Sequence, residues 1–313
     1  GASTLPSAQK IRFSKVSPTV QAQLIRFLLW LASRLPLNWS RALGRGIGRM
    51  AWRLNGSYCR VTRRNIELAF PGMSAPEREA LAKRSVLATA ELAAEMGYVW
   101  SRPWAQVAAL IHEVRGLEAV EKAIGSGRGV MMLGPHLGNW EVAGLHLATL
   151  GETVTLYEPP HMRALDDMVR QARSRSGATL VPTDKRGLAI LVRALRSGGM
   201  SAILPDQVPP VVESGENSVF MGQPSFTMTL ASRLLARTGA VAFFGFAERI
   251  DGGWRMHYLP ASEGLYSDNI ETSLLALNEG VESCLNCCPE QYQWEYKRFR
   301  TRPRGSFDNY ANI

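Results

Sequence analysis

The stretch Gly129-Val-Met-Met-Leu-Gly134-Pro135-His136-Leu-Gly138-Asn139-Trp140-Glu141-Val142 constrains the fold more than any other part of the chain. Val130 to Leu133 is a short, wholly apolar run, the pattern of a strand covered on both faces, and Gly134-Pro135 ends it. Asn139 then reads as an N-cap. Val142, Leu145 and Thr149 recur at helical spacing as far as Gly151, which reads as a C-cap. The stretch is therefore a strand, a glycine- and proline-bearing turn and a helix start, with Glu141 in the first helical turn.

The same grammar repeats from about residue 113. Strands are predicted near 129–134, 153–158, 178–182, 201–205, 240–247 and 254–260, and helices near 139–150, 163–176, 186–197 and 226–238. This alternation predicts an α/β fold with a mostly parallel central sheet flanked by helices. Further helix is expected over 268–287 and 289–296. The front third reads as all helix: two segments before residue 56, then Tyr58–Phe70 closed by Pro71-Gly72, then a long helix through Trp100 with Ser74 as cap and Glu77 in the capping-box position. We expect basic, membrane-associated helices over 1–56 and an α/β domain over 57–313. A chain of 313 residues, 46% hydrophobic and 20% charged, can bury such a core.

Charge supports that division. The net charge is +9, yet the first 66 residues hold twelve Lys/Arg, from Lys10, Arg12 and Lys15 onward, and no Asp or Glu before Glu67. The apolar run Leu24–Ala32 is too short and interrupted for the roughly 20 residues of a clean span and suits an interfacial helix. From Trp39 to Leu54, Arg41, Arg45, Arg49 and Arg53 repeat every four residues while Trp39, Leu43, Ile47, Met50 and Leu54 occupy another part of the helix. That is the pattern of a basic amphipathic helix in a headgroup layer, or of an arginine face solvated over a buried apolar one. The acid-free front end points to the membrane. Nucleic acid is not expected, because zinc-finger spacing, an RNA-binding aromatic signature and basic-zipper heptads are all absent. Gly1-Ala2-Ser3, without an initiator Met, reads as a cloning remnant. Cys59, Cys284, Cys287 and Cys288 read as buried free thiols in a reducing compartment, since Cys284-x-x-Cys287 has no second ligand pair to complete a metal site.

The first candidates for chemistry lie where ligands bind in α/β sheets, beyond the carboxyl ends of the strands. His136 follows one strand, Asp206 follows Ser201–Pro205, and the Glu158-Pro159-Pro160-His161 turn follows a third. On a continuous helix His136 and Glu141 would point about 140° apart, but with His136 on the turn they can meet. A carboxylate on one imidazole nitrogen would leave the other as a general base. The plainer alternative is a first-turn acid favoured by the helix dipole and a loop histidine. Arg170, Arg173 and Arg175 read either as a solvated face or as binders of phosphate or an oxyanion, with Asp206 as a turn acid or an arginine's anchor. A Gly-x-Ser-x-Gly elbow, a P-loop and a His-Glu-x-x-His motif are missing.

His136-Leu-Gly-Asn-Trp-Glu141 resembles the His-x4-(Asp/Glu) motif of glycerolipid-type acyltransferases, in the form typical of the late acyltransferases of lipid A biosynthesis. Thr62-Arg-Arg-Asn-Ile-Glu-Leu-Ala-Phe70-Pro71, Leu204-Pro-Asp206-Gln207 and Gln291-Tyr-Gln-Trp294-Glu-Tyr-Lys297-Arg298-Phe299-Arg-Thr-Arg302-Pro303 agree with that subfamily. One departure is Trp294-Glu-Tyr-Lys297, where Trp-x-His-(Arg/Lys) is the family pattern. The resemblance implies transfer of a fatty acyl chain from acyl-acyl carrier protein to a hydroxyl of a lipid A precursor. The setting it implies is the cytoplasmic face of a Gram-negative inner membrane, without a cofactor or metal. In that reading His136 is the base and Glu141 its orienting acid. Arg173, Arg175, Asp206 and Asn139 form the substrate-binding set, with Asp206 anchoring Arg173. The alternatives are an acyltransferase on another lipid acceptor, such as a lysophospholipid or glycolipid, and a non-catalytic lipid-binding protein at a membrane surface.

Overall fold

The computed structural model describes residues 18–159, 166–300, 308–311 and 313. Lys10, Arg12, Lys15, His161 and the Thr301–Pro303 end of the C-terminal motif lie outside the described residues. The chain opens with helices α1 (Pro18–Arg34), α2 (Leu37–Leu54), α3 (Ser57–Ala69), α4 (Ala75–Ser101) and the short α5 (Trp104–Ala108). Then follow β1 (Ile111–Arg115), α6 (Leu117–Gly125), β2 (Val130–Leu133), α7 (Trp140–Ala148), β3 (Val154–Tyr157), α8 (Asp166–Ser174) and β4 (Thr179–Pro182). The rest comprises α9 (Lys185–Arg196), β5 (Met200–Ile203), β6 (Gly215–Phe220), β7 (Gln223–Met228), α10 (Leu230–Thr238), β8 (Val241–Ile250), β9 (Gly253–Pro260) and α11 (Ile270–Leu285).

The central sheet has the order β1-β9-β8-β2-β5, and the bridge between Thr153 and Met200 sets the β3-β4 pair beside β5. In this sheet and the β3-β4 pair all pairings are parallel except β8 with β9. β2 lies inside the sheet between β8 and β5, which is why its four residues are all apolar and all buried. Its side chains alternate between layers. Met131 and Leu133 join Phe244, Leu277 and the α9–α11 side, while Val130 and Met132 join Leu145, Trp254 and the α6–α7 side.

Several elements differ from expectation, α5, α6 and β6 among them, for which nothing was predicted. The helix predicted from 226 starts only at Leu230, because Phe226 and Thr227 belong to the β6–β7 hairpin, where aromatic and β-branched residues suit a pleat. Residues 289–296 hold one turn of 3₁₀ helix, Pro289–Gln291, and then irregular chain in which Gln291 O and Gln293 N bond to the turn after β2. The edge strand β1 was missed, since Ile-His-Glu-Val-Arg has no apolar run.

On helix α2 the apolar side is not buried against the protein. Two of its four arginines point toward the protein: Arg41 is buried against Glu95 (2.7 Å) and Arg45 reaches Glu91 (2.6 Å), both on α4. Trp39, Leu43, Ile47, Met50 and Leu54 are the side that faces outward, each exposed, with Leu54 at 77%. Gly44 and Gly48 let the two helices approach, since a β-carbon at Gly44 would lie 2.7 Å from the Ala90 carbonyl oxygen. Phe27, Trp30 and Leu31 of α1 are exposed as well.

Candidate active site

His136 follows β2 on a turn pinned from three directions. Its carbonyl accepts from Gln293 N (3.0 Å), Gly138 N donates to Gln291 O (3.1 Å) and Asn139 N donates to Ala247 O (2.9 Å). Gly138 has φ +58°, and a β-carbon there would sit 2.0 Å from the Ala247 carbonyl oxygen, so only glycine fits. Asn139 caps α7 as expected, its side chain accepting from Val142 N at 3.1 Å.

The carboxylate on His136 is Asp206. Its Oδ1 lies 2.7 Å from His136 Nδ1, and its Oδ2 accepts the His136 backbone N–H at 2.8 Å. Burial alone would raise the Asp206 pKa, but His136 outweighs it and holds the carboxyl below its ordinary range. Ionised Asp206 thus accepts from Nδ1–H and leaves Nε2 as the basic nitrogen. Trp140 packs edge-on against the ring, 5.0 Å between centroids. Behind the pair, burial and then Asp206 push the Tyr292 hydroxyl well above its usual value.

Glu141, expected on His136, is instead paired with Arg173 (2.6 Å between Nη2 and Oε1), whose Nε lies 3.2 Å from both carboxylate oxygens. The partners are exchanged relative to the sequence reading, which set Glu141 on His136 and Asp206 on Arg173. The reason is topological: β5 is the immediate neighbour of β2, so the residues past their carboxyl ends meet, whereas Glu141 turns away with the first turn of α7 toward α8. Arg173 lies under Tyr157, 5.5 Å from its ring, and Glu141 raises its pKa against the effect of burial.

Arg175 stays outside this group, donating to the Arg102 carbonyl at the end of α4 (2.6 Å). Asn139 is fully buried, and its amide donates to Glu95 (2.9 Å) rather than facing a ligand. Neither belongs to the cavity lining. Cys59, Cys284 and Cys288 are buried free thiols, whereas Cys287 is exposed. Sequence reading passed over Glu95, though an acid in the Ala-rich, apolar middle of α4 is itself a signal of a buried partner.

His136, Glu141 and Arg173 line a cavity of about 1140 Å³ that is otherwise mainly apolar, with Met132, Leu145, Leu156, Leu180, Leu188 and Met228 among its walls. A space of this kind accommodates a hydrocarbon chain, and the polar groups mark where a reactive end would sit. Among the described residues, no group of three or more His, Cys, Asp and Glu could hold a metal ion.

Residues 9–301 match the family described as bacterial lipid A biosynthesis acyltransferase. The lipid A biosynthesis lauroyltransferase of Escherichia coli strain K12 is 28% identical over 281 residues, covering 89% of this chain and 90% of that protein. The palmitoleoyltransferase of the same strain is 28% identical over 287 residues (90% and 92%), and its myristoyltransferase 25% over 267 residues (84% and 82%). With the match spanning residues 9–301, the chain belongs to the bacterial lipid A biosynthesis acyltransferase family.

Proposed function

We propose that the chain moves a fatty acyl group from acyl-acyl carrier protein to a hydroxyl of a lipid A precursor, with His136 as general base and Asp206 as the acid that orients it. The observation that carries this reading is the 2.7 Å contact between buried Asp206 and Nδ1 of His136, which lines the apolar cavity. His136 Nε2 takes the proton from the acceptor hydroxyl, whose oxygen attacks the thioester carbonyl carbon. The new C–O bond forms, the C–S bond breaks, and His136 returns the proton to the departing sulfur. No covalent enzyme intermediate is needed. Arg173, held by Glu141, offers a guanidinium for the developing oxyanion or for a phosphate of the acceptor.

Attachment to the inner membrane is supported by α1 and α2. No described helix is long and apolar enough to cross a membrane, but the outward apolar stripe of α2 is shaped to enter the headgroup boundary from one side. Exposed Arg49 and Arg53 on the same helix suit anionic lipid.

The test is incubation with acyl-acyl carrier protein and a panel of lipid acceptors, read as mass gain. Wild type should acylate a lipid A precursor, and His136→Ala should lose at least ~10³-fold. Folded His136→Ala with near-wild-type transfer overturns the assignment of the base. Transfer to a lysophospholipid or glycolipid alone overturns the acceptor.

A further inference from the structure

One buried carboxylate is not used by the chemistry above. Glu95, in the middle of α4, has no exposed surface and lies outside the cavity lining. Four side chains from four elements converge on it. Arg41 Nε of α2 and Arg249 Nε of β8 approach Oε1 at 2.7 and 2.6 Å. Asn139 Nδ2, at the start of α7, and Trp254 Nε1 of β9 approach Oε2 at 2.9 and 3.4 Å. Burial works against its ionisation, and Arg249 with Arg41 more than compensates, so the carboxyl stays charged. Arg41 spends the rest of its fork on the carbonyls of Ile250 (2.7 Å) and Gly253 (2.8 Å), across the β8–β9 turn.

The member of this cluster nearest the reaction is Asn139, three residues after His136 and two before Glu141. Because Glu95 takes its NH₂ group, the amide can point only one way, with Oδ1 toward the Val142 N–H at 3.1 Å. The amide orientation fixes where α7 begins. That start sets the spacing between His136, still on the turn, and Glu141, already on the helix with Arg173 beside it. A fully buried ion cluster costs desolvation and is weak evidence for stability alone. Its connection to the catalytic turn gives it a second role.

We propose that Glu95 is a positioning residue for acyl transfer, acting through Asn139 to hold the His136 turn in register with Glu141 and Arg173. The proposal rests on the reading of His136 as the base. Glu95 touches no substrate. Through Arg41, α2 is bonded to the same support.

Asn139→Ser tests the link with the least disturbance, since serine still caps α7 and only the donor to Glu95 is lost. Arg41→Met/Glu95→Met/Arg249→Met tests it from the other side, removing the support without leaving an unpaired charge. Each variant is compared with wild type for thermal midpoint, kcat, KM for acyl-acyl carrier protein, and the Nδ1 proton resonance of His136, assigned by its loss in His136→Ala. The expected result is a cooperative melt, kcat lower by roughly 10–100-fold, KM within about threefold, and a shifted or broadened His136 resonance. Unchanged kcat and resonance in folded Asn139→Ser overturns the proposal whether or not the triple variant folds. A change in KM alone also overturns it, by making Asn139 a binding group. Should wild type show no transfer, the reading of His136 fails separately, and the resonance still reports whether Glu95 holds the turn.

Discussion

At the scale of single residues, the exchange of carboxylates makes the sharpest claim. Asp206→Asn should lower kcat by roughly 10²–10⁴-fold with the fold kept, because the amide cannot hold Nδ1 protonated against a negative charge. Glu141→Gln should do less to the acid limb of the pH–rate profile, since its partner is Arg173. An equal shift of that limb in both variants would contradict the separation of roles. A second residue makes a stability prediction. Burial pushes the Glu295 carboxyl up to about 7, with Thr89 its side-chain partner at 3.3 Å. A carboxyl raised in the folded state contributes stability that is full below the unfolded value of about 4.3 and is lost as pH rises toward 7. Glu295→Gln should therefore raise the melting midpoint at pH 8 by roughly 2–6 °C and change it little at pH 4, as calorimetry would show. His136, Asp206, Glu141 and Arg173 were all legible as strand-end or helix residues. Which carboxylate meets which cation was not, because that depends on the adjacency of β2 and β5, and strand order is a long-range property that local spacing does not encode.

At the scale of elements, the alternation of apolar runs with helical spacing located most of the sheet, because each strand's burial is written in its own residues. What escaped were pieces whose partners lie far away in the chain. The end of β7 looked like the first turn of α10, and 289–296 looked helical although Gln293 N and Gln291 O bond to His136 O and Gly138 N. The periodicity of α2 was legible, while its orientation was not: an arginine stripe reads as solvent-facing until Glu91 and Glu95 of α4 appear beneath it. Two expected outcomes belong here. Trp39→Glu/Ile47→Glu should release the protein from anionic vesicles in a flotation assay with little change in melting temperature, because both side chains are already exposed. Gly144 of α7 lines the cavity and has nothing within 4 Å of the position a β-carbon would take. Gly144→Met should then fill open space and shift donor preference to shorter acyl chains, measured by competition between donors of different length.

At the scale of the whole molecule, the sheet serves two neighbours. Its carboxyl-end turns carry the His136 pair, and its β8–β9 turn receives Arg41 from α2, so the helix proposed to meet the lipid is bonded to the sheet that also carries the His136 turn. Two deeply buried carboxylates, Asp206 and Glu95, are held below their ordinary pKa. By linkage their stability is present above about pH 4 and is lost as pH falls through the folded values, so the intact protein should melt at progressively lower temperature in acid. Arg41→Met/Glu95→Met/Arg249→Met, lacking one of the two, should show a shallower decline.

The outward apolar stripe of α2 also decides how the reaction should count its molecules. An enzyme seated on a lipid surface meets an acceptor confined to the same surface, so encounter depends on molecules per unit area rather than per unit volume. Diluting a vesicle suspension at fixed composition and fixed acyl-acyl carrier protein concentration should leave turnover on each vesicle unchanged once the protein is attached. Adding inert lipid to the same vesicles should slow it in proportion to the acceptor's falling mole fraction.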